Sequence, residues 1–199
     1  MTDMNKEMLA AQEKFGALLS QQLARVERMK KDDTWLDFST LKPIVIGVCP
    51  GDGIGEELSK NALRVLKSVL KKDEAAGKVT FKEIHGLTIE NRAKHMKAIP
   101  DDVLTELKSC HVILKGPTTT PQEGDPWPNI ESANVAMRRE LDLFANVRPV
   151  KVPQEGIDWI FFRENTEGSY VLGSKGLNVG PDLSIDFNVT TQQGSDRII

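Results

Sequence analysis

Arginine, serine and asparagine side chains gather in the stretch SANVAMRRELDLFANVRPVK, residues 132–151. Ser132 and Asn134 stand at the start of a predicted helix, where free backbone N–H groups and the helix dipole favour an anion. Arg138 lies four residues after Asn134, on the same helix face, and Arg148 follows the helix. Because guanidinium groups bind carboxylates through paired hydrogen bonds, this stretch predicts a site for a substrate with several carboxylates.

A structural alternative exists for the same arginines, which can form ion pairs with Glu140 and Asp142. Arg139 is rotated by about 100° around the helix from Arg138 and is expected to face solvent or a carboxylate. The sequence leaves both interpretations of this stretch open.

A lysine and three threonines follow a predicted buried strand in KGPTTTP, residues 115–121. Open α/β sheets bind ligands at the carboxyl ends of their strands. Lys115 and the three hydroxyl groups therefore suit an anionic or polyhydroxy ligand. The alternative is a turn whose hydroxyl groups bond to the nearby backbone.

An arginine and the chain's single tyrosine lie close together in FFRENTEGSY, residues 161–170. Arg163 ends a predicted strand, and Tyr170 follows it beyond a turn at Glu167 and Gly168. A tyrosine near arginines can act as a general acid, because nearby positive charge favours its phenolate. The alternative is a tyrosine that only packs and hydrogen-bonds.

Three glycines in CPGDGIGEE, residues 49–57, separate a predicted strand from a predicted helix. A turn of this kind binds a pyrophosphate in dinucleotide-binding proteins. Here Glu56 follows Gly55 directly, so the third glycine is misplaced for the G-x-G-x-x-G pattern. The motif by itself leaves open whether the turn binds a phosphate or is only a tight bend.

Alternating strands and helices must position these groups. Apolar runs predict strands at IVIGV, KVTFKEIHG, HVILKG and DWIFFRE. Helices are predicted over residues 54–72, within NRAKHMKAIPDDVLTELKSC and over ANVAMRRELDLF. Asp101 or Asp102 is expected to cap the helix after Pro100, and Ser132 to cap the next. The order implies parallel strands in an α/β sheet with right-handed crossovers.

Both ends of the sequence carry further patterns. Apolar residues at helical spacing predict one amphipathic helix over residues 4–31, followed by a linker at residues 32–43. That helix packs on its own domain or, alternatively, helps the protein to dimerise. Residues 182–199 alternate like a strand and then reach Ser195 and Asp196, where a helix is expected to begin, so we expect the sequence to be truncated.

Composition and charge argue against several classes of protein. The formal net charge of -3 argues against a broad nucleic-acid surface. No apolar run approaches a membrane span and the N-terminal stretch is unlike a targeting signal, so we expect a cytoplasmic protein. Cys49 and Cys110 are expected to be reduced, mostly buried thiols. His85, His95 and His111 show no metal-ligand spacing and are expected to be structural or exposed.

Four motifs in this order resemble the isocitrate and isopropylmalate dehydrogenase family of β-decarboxylating dehydrogenases: PGDGIGEE, ILKGPTTTP, SANVAMRRELDLFANVRPVK and FRENTEGSY. The resemblance runs from about Ile44 to the end of the sequence. It implies an α/β sheet with flanking helices that is not a Rossmann fold. It also makes the glycine-rich turn a strand-to-helix turn at the edge of the cofactor cleft.

The resemblance also implies a domain organisation. Residues 1–40 lie outside it and form an N-terminal helical extension and linker. Residues 41–143 correspond to the N-terminal part of a large α/β domain, and residues 144–199 to the start of a smaller domain through which family members dimerise. Complete members are longer, so we expect an N-terminal half with exposed apolar surface and marginal stability.

Within the family, the substrate class is distinguished close to the first arginine. Isopropylmalate enzymes carry an apolar pair there, whereas isocitrate enzymes carry a serine and an asparagine, which match Ser132 and Asn134. The same match implies that Tyr170 protonates the enolate, and that Thr119 and Thr120 face the substrate and the nicotinamide ribose. It assigns four basic residues to the substrate: Lys115, Arg138, Arg148 and Arg163.

The implied reaction is hydride transfer from isocitrate to NAD or NADP, followed by loss of carbon dioxide to leave 2-oxoglutarate, a step of the tricarboxylic acid cycle. Mg2+ or Mn2+ stabilises the enolate oxygen, and its ligands are expected beyond residue 199. A homodimer that binds a tricarboxylate is expected, with the 199-residue chain alone inactive. The alternatives are an isopropylmalate-type dehydrogenase, and a non-catalytic fragment or subunit that needs a partner chain.

Overall fold

The structure, a computed structural model, describes residues 3–31, 36–173 and 175–199 of the chain. These residues form two compact units. The sheet unit is Leu36–Leu141, and the hairpin unit is Met1–Trp35 together with Asp142–Ile199.

Helices and strands alternate through the first part of the chain. In chain order, the described helices are α1 (Asp3–Lys31), α2 (Gly55–Val69), α3 (Lys71–Ala75), α4 (Ile89–His95), α5 (Asp101–Lys108), α6 (Ala133–Glu140) and α7 (Gln192–Asp196). The described strands are β1 (Ile44–Cys49), β2 (Val79–Glu83), β3 (Val112–Lys115), β4 (Ala145–Val152), β5 (Ile157–Glu164), β6 (Leu177–Asn178) and β7 (Ser184–Ile185).

The sheet unit is built on three parallel strands in the order β2-β1-β3. β1 lies in the middle, and its last residues, Gly47, Val48 and Cys49, are buried. Helices connect the strands, because a parallel pair needs a crossover that carries the chain back to the same edge. The predicted α/β sheet with flanking helices is confirmed.

Two helices of this unit differ in detail from the sequence prediction. The predicted helix over residues 54–72 is α2, with the separate short helix α3 after it. Helix α5 begins after Pro100, but neither Asp101 nor Asp102 caps it, because both lie inside its first turn. Their negative charges there lie near the positive end of the helix dipole, which stabilises the helix without a capping hydrogen bond.

The core of the sheet unit joins β1 to α5 and α6. One buried cluster contains Cys49, Ile84, Leu87, Ile99, Val103, Leu107, Ala133, Ala136 and Met137. Because α6 contributes three of these residues, the core fixes the helix that carries the predicted carboxylate site.

The cysteines and histidines have the environments expected of them. Cys49 is buried, Cys110 is half-buried, and both thiols are free. Burial raises the pKa of the Cys49 thiol to about 11, so this thiol stays protonated near neutral pH. His111 bonds to the backbone of β1, His95 bonds to the backbone within α4, and His85 is exposed.

The hairpin unit contains an antiparallel pair, β4 and β5. The register pairs Ala145 with Glu164 at one end and Val152 with Ile157 at the other. The sequence predicts β5 but not β4, which contains Pro149. A two-stranded ribbon accommodates this proline because each of its strands has a free edge.

Helix α1 confirms the predicted N-terminal helix. Leu18 is buried in one cluster with Val171, Leu172 and Leu177, so the helix packs on the hairpin unit, and a role in dimerisation stays a prediction. The first part of the predicted linker, residues 32–35, lies outside the described residues. No described helix is long and apolar enough to cross a membrane.

Helix α7 begins earlier than the helix that the sequence predicts at Ser195 and Asp196. Its N-cap is Thr191, whose hydroxyl accepts a hydrogen bond from the N–H of Gly194 at 3.0 Å. Ser195 and Asp196 therefore end this helix instead of starting one, which corrects the prediction.

Candidate active site

The glycine-rich turn after β1 packs directly against the loop after β3. Gly51 has a φ of +75°, and the N–H of Asp52 donates to the carbonyl oxygen of Pro117 at 2.8 Å. A Cβ atom at Gly51 would overlap that oxygen, and one at Gly116 would overlap the carbonyl oxygen of Pro50. Glycine is needed at both positions because the two backbones touch.

Asp52 connects three segments through its carboxylate. Oδ1 accepts a hydrogen bond from the N–H of Ile89 at 2.7 Å, and Oδ2 accepts one from the N–H of Thr119 at 2.6 Å. Ile89 is the first residue of α4, whose N-terminal end favours a negative charge. One side chain thereby links the glycine-rich turn, α4 and the threonine loop.

Arg92 is fully buried and donates to three backbone carbonyl groups. The acceptors are the carbonyl oxygens of Ala98 at 2.8 Å, Thr119 at 2.7 Å and Glu131 at 3.0 Å. Burial lowers the pKa of Arg92, an effect that the nearby charge of Asp52 opposes, and the guanidinium stays charged. The loop of residues 117–131 contains four prolines and is called the proline-rich loop. Because Arg92 bonds to Thr119 and Glu131, it holds the two ends of this loop together.

The sequence predictions do not include Asp52 or Arg92. Asp52 lies inside the glycine-rich motif, and this position could have identified it as a candidate functional residue. Arg92 lies in a polar helical segment, where an exposed arginine is the ordinary expectation. The tertiary structure alone shows that it is buried and bonded to distant carbonyl groups.

Lys115 lies half-buried at the end of β3. Its ammonium group donates to the carbonyl oxygen of Gly116 at 2.8 Å and to Oγ1 of Thr118 at 3.0 Å. Burial lowers the pKa of Lys115; the nearby Cys49 opposes this shift, and the charge of Arg92 adds to it. The loop therefore holds a cation in a defined position at the carboxyl end of the sheet.

The three threonine hydroxyl groups of this loop are not equivalent. Thr118 is used by Lys115, whereas the hydroxyl groups of Thr119 and Thr120 have no hydrogen-bond partner in the described part of the chain. Thr119 is half-buried, and its backbone is held at both its N–H and its C=O. The backbone of Thr119 is thus fixed, and its hydroxyl is free to bond to a ligand.

Helix α6 carries the three polar residues of the predicted carboxylate site. Ser132 occupies the predicted N-cap position, but its side chain makes no capping hydrogen bond. Ser132 and Arg138 are half-buried, and Asn134 is exposed. Within the described residues, none of these three side chains has a hydrogen-bond or ion-pair partner, so all three are free to bind a ligand.

Arg139 behaves in the opposite way to its neighbour Arg138. Its guanidinium forms a two-point ion pair with Glu131, at 2.7 and 3.0 Å, and a longer contact of 3.3 Å with Glu140. The hydrogen bonds to Glu131 raise the pKa of Arg139. The ion-pair interpretation therefore holds for Arg139 and not for Arg138. Asp142 pairs with Arg197, which lies outside residues 132–151.

In the hairpin unit, two predicted arginines share one face of the β4–β5 ribbon. Asn146 lies opposite Arg163 in the register, and Arg148 is two residues beyond Asn146, so the three side chains point the same way. Nε of Arg148 donates to Oδ1 of Asn146 at 3.0 Å. Arg163 donates to the phenol oxygen of Tyr170, and its Cζ lies 5.6 Å from the ring centroid. The ribbon thus places Arg148 and Arg163 on one face, and Tyr170 contacts Arg163.

The predicted site residues fall into two groups. The sheet unit holds Lys115, Thr119, Thr120, Ser132, Asn134 and Arg138, and the hairpin unit holds Arg148, Arg163 and Tyr170. Among the described residues, no group of three or more His, Cys, Asp or Glu side chains could hold a metal ion. The described residues alone therefore do not supply a complete set of metal ligands.

Known proteins match the chain over most of its length. Residues 45–199 match the family model described as isocitrate/isopropylmalate dehydrogenase. The chain is 40% identical over 170 residues to the isocitrate dehydrogenase (NADP) of Archaeoglobus fulgidus, a match that covers 76% of this chain and 39% of that protein. It is 35% identical over 162 residues to the 3-isopropylmalate dehydrogenase of Staphylococcus haemolyticus, covering 75% of this chain and 45% of that protein.

A solved structure shares the fold. The crystal structure of the TT0538 protein from Thermus thermophilus superposes with a TM-score of 0.57 at 28% identity, covering 77% of this chain and 30% of that chain. The chain spans less than half the length of each of these three relatives. Because the relatives are named for different substrates, the comparisons leave the substrate open.

Proposed function

Because the chain belongs to the isocitrate/isopropylmalate dehydrogenase family, we propose that it binds the substrate of a β-decarboxylating dehydrogenase that uses NAD or NADP. The proposed substrate is isocitrate and the proposed product is 2-oxoglutarate. This assignment combines the family with the chemistry of the free side chains on α6.

The contrast between Arg138 and Arg139 is the observation that carries the proposal. Arg139 is neutralised by two carboxylates, whereas Arg138 is half-buried with no partner among the described residues. A partly desolvated guanidinium without a counter-charge is costly, and an anionic ligand removes that cost. A substrate carboxylate is the group that fits it best.

The neighbours of Arg138 support isocitrate over isopropylmalate. Ser132 and Asn134 offer a free hydroxyl and a free amide on the same helix. Both groups can hydrogen-bond a further carboxylate, whereas a site for an isopropyl group would be lined with apolar side chains. We therefore assign Ser132 and Asn134 to the carboxylate that distinguishes isocitrate.

The hairpin unit supplies the proposed proton donor. A guanidinium has only donors, so the phenol oxygen of Tyr170 accepts the hydrogen bond from Arg163 and keeps its own proton free. Tyr170 can then donate this proton to the carbon left as an enolate when carbon dioxide departs. Arg148 and Arg163 would bind the substrate carboxylates from this unit.

The threonine loop supports contacts to the nicotinamide cofactor. The hydroxyl groups of Thr119 and Thr120 are free and follow a strand end, which suits the hydroxyl groups of a ribose. NAD or NADP supplies the hydride acceptor when it is bound. Lys115 places a positive charge beside the same loop and is proposed to contact the substrate.

Binding measurements test this proposal with matched variants. We expect isothermal titration calorimetry to detect isocitrate binding, and Arg138→Gln to weaken it by about tenfold or more, since a hydrogen bond to a charged group contributes about 1.5–3 kcal/mol. Arg64→Gln is the control, because Arg64 is an exposed arginine of the same unit. Unchanged affinity in Arg138→Gln would contradict the proposal. Tighter binding of isopropylmalate would favour the alternative substrate, and an NAD(P)-linked oxidation assay measures turnover.

A further inference from the structure

Helix α1 lies outside the family match, yet it packs on the segment that carries Tyr170. Leu18 is buried in the same cluster as Val171 and Leu172, the two residues that follow Tyr170. Nζ of Lys14 donates to the carbonyl oxygen of Gly176 at 2.7 Å. The helix therefore contacts the chain on the C-terminal side of the tyrosine.

An ion pair between half-buried Arg25 and buried Glu167 connects α1 to the N-terminal side of the same tyrosine. Nη1 of Arg25 lies 2.9 Å from Oε1 of Glu167, with side-chain exposures of 17% and 8%. The Glu167 carboxylate also accepts hydrogen bonds from the N–H and the hydroxyl of Thr191, at 2.7 and 3.1 Å. Arg25 is itself oriented by Oε1 of Gln22, at 2.9 Å.

Further hydrogen bonds hold the turn that runs from Glu164 to Tyr170. Glu164 accepts hydrogen bonds from the N–H groups of Thr166 and Glu167, at 2.7 and 2.5 Å. Arg197 donates to the hydroxyl of Thr166 at 2.7 Å. Glu167 is thus the point at which the local turn, helix α7 and helix α1 meet, three residues before Tyr170.

We propose that α1 braces this turn and that Arg25 is a positioning residue for Tyr170. Removing the Arg25 charge would leave the buried carboxylate of Glu167 without its counter-ion, so Glu167 would move toward solvent. The turn would then loosen and the phenol would leave the Arg163 guanidinium. The catalytic meaning of this coupling rests on the proposed function, but the coupling itself does not.

Fluorine-19 NMR tests the coupling directly, because the chain has a single tyrosine. With meta-fluorotyrosine incorporated, the full chain would give a signal that reports on Tyr170 alone. Arg163→Ala provides the reference shift for a phenol that has lost its guanidinium. We expect Arg25→Ala to displace the resonance in the same direction by a smaller amount. Arg28→Ala, an exposed arginine on the same helix, should leave it unchanged.

Two results would overturn the proposal. An unmoved resonance in Arg25→Ala, with a lowered Tm, would show that α1 only stabilises the unit. An equal shift in Arg28→Ala would show that the effect is not specific to the ion pair. If Arg25→Ala is unfolded at the measuring temperature, Arg25→Gln keeps part of the aliphatic stem and a polar end without the charge, and it decides the same question.

The NMR result is independent of catalysis. If Arg25→Ala displaces the resonance but the chain does not bind isocitrate, the proposal for α1 is supported and the proposed function is contradicted. If the resonance does not move but the chain binds isocitrate, the proposed function is supported and the proposal for α1 is contradicted. The two proposals can therefore fail separately.

Discussion

The two units hold their proposed binding residues by different means. In the sheet unit, Asp52 and Arg92 bond to backbone groups and fix the loops, while Arg138 remains unpaired among the described residues. In the hairpin unit, the side chains bond to one another, as Arg163 does to Tyr170. A site fixed through its backbone keeps its side chains free for a ligand, whereas a site fixed through side-chain pairs must share them with the ligand.

The units also differ in how they bury apolar surface. The sheet unit has one core cluster that joins β1 to α5 and α6, although large apolar residues of α2 such as Leu58, Val65 and Val69 remain exposed. The β4–β5 ribbon leaves six large apolar residues exposed within its two strands: Val147, Val150, Trp159, Ile160, Phe161 and Phe162. The first unit is therefore built to hold a fixed loop geometry, and the second exposes an apolar surface of the kind that an interface covers.

The largest effect should come from removing the buried arginine of the sheet unit. Arg92→Ala leaves three backbone carbonyl groups without their donor, and we expect it to lower the free energy of unfolding by at least about 3 kcal/mol. Urea denaturation measures this change. Arg64→Ala, an exposed arginine in α2, should stay within about 0.5 kcal/mol of wild type. Equal losses in the two variants would contradict a fixing role for Arg92.

The glycine-rich turn offers a matched pair of substitutions. Gly51 and Gly53 both have positive φ, but only Gly51 abuts the backbone of Pro117, since Gly53 has nothing within 4 Å. Gly53→Ala should cost about 1–2 kcal/mol from backbone strain alone. Gly51→Ala should cost a further 1–3 kcal/mol, roughly, because the loops must move apart. Thermal unfolding of both variants checks this, and similar losses would exclude the close approach as the cause.

We expect substitutions on the exposed face of the ribbon to weaken association of the chain rather than its folding. We propose that its exposed apolar residues contribute to a homodimer, so Phe162→Ser should weaken the dimer about tenfold or more. Phe38→Ser, an exposed phenylalanine of the sheet unit, is the control. Light scattering over a concentration series measures the dissociation constant. A dimer unaffected by Phe162→Ser would place the interface elsewhere.

The smallest effect concerns the thiol buried in the core of the sheet unit. Burial raises the pKa of Cys49 from 9.0 to about 11, so between these values the native thiol keeps a proton that the unfolded chain loses. The unfolded state binds fewer protons there, and stability must fall as the pH rises, by on the order of 1–2 kcal/mol. Cys49→Ala should lose this part of the pH dependence in denaturation experiments, and Cys110→Ala should keep it.

Much of the sheet unit was predictable because its signals are local. Short apolar runs between helical segments predict parallel strands, and IVIGV, KVTFKEIHG and HVILKG became β1, β2 and β3. The position of Ser132 before α6 was equally predictable. The missed strand β4 shows the limit of such signals, since Pro149 argues against a strand until its free edge is known.

The candidate site also combines features that the sequence predicts locally with features that depend on the tertiary structure. The sequence predicted which side chains could bind a carboxylate and expected Arg139 to face solvent or a carboxylate, but it did not identify Glu131 as the partner of Arg139. Glu131 lies eight residues before Arg139 and forms a two-point ion pair with it. The pairing requires the proline-rich loop to end beside α6, and no local pattern encodes this.

The sequence by itself determined the order of strands and helices in the sheet unit, the family and the types of side chain at the site, because these depend on residue type and short spacing. Only the tertiary structure decided which charges are free and which are structural. Arg92 illustrates the reason: it bonds to carbonyl groups 27 and 39 residues away, at Thr119 and Glu131. A buried charge is stable only where distant backbone groups meet it, and where they meet is a property of the folded chain.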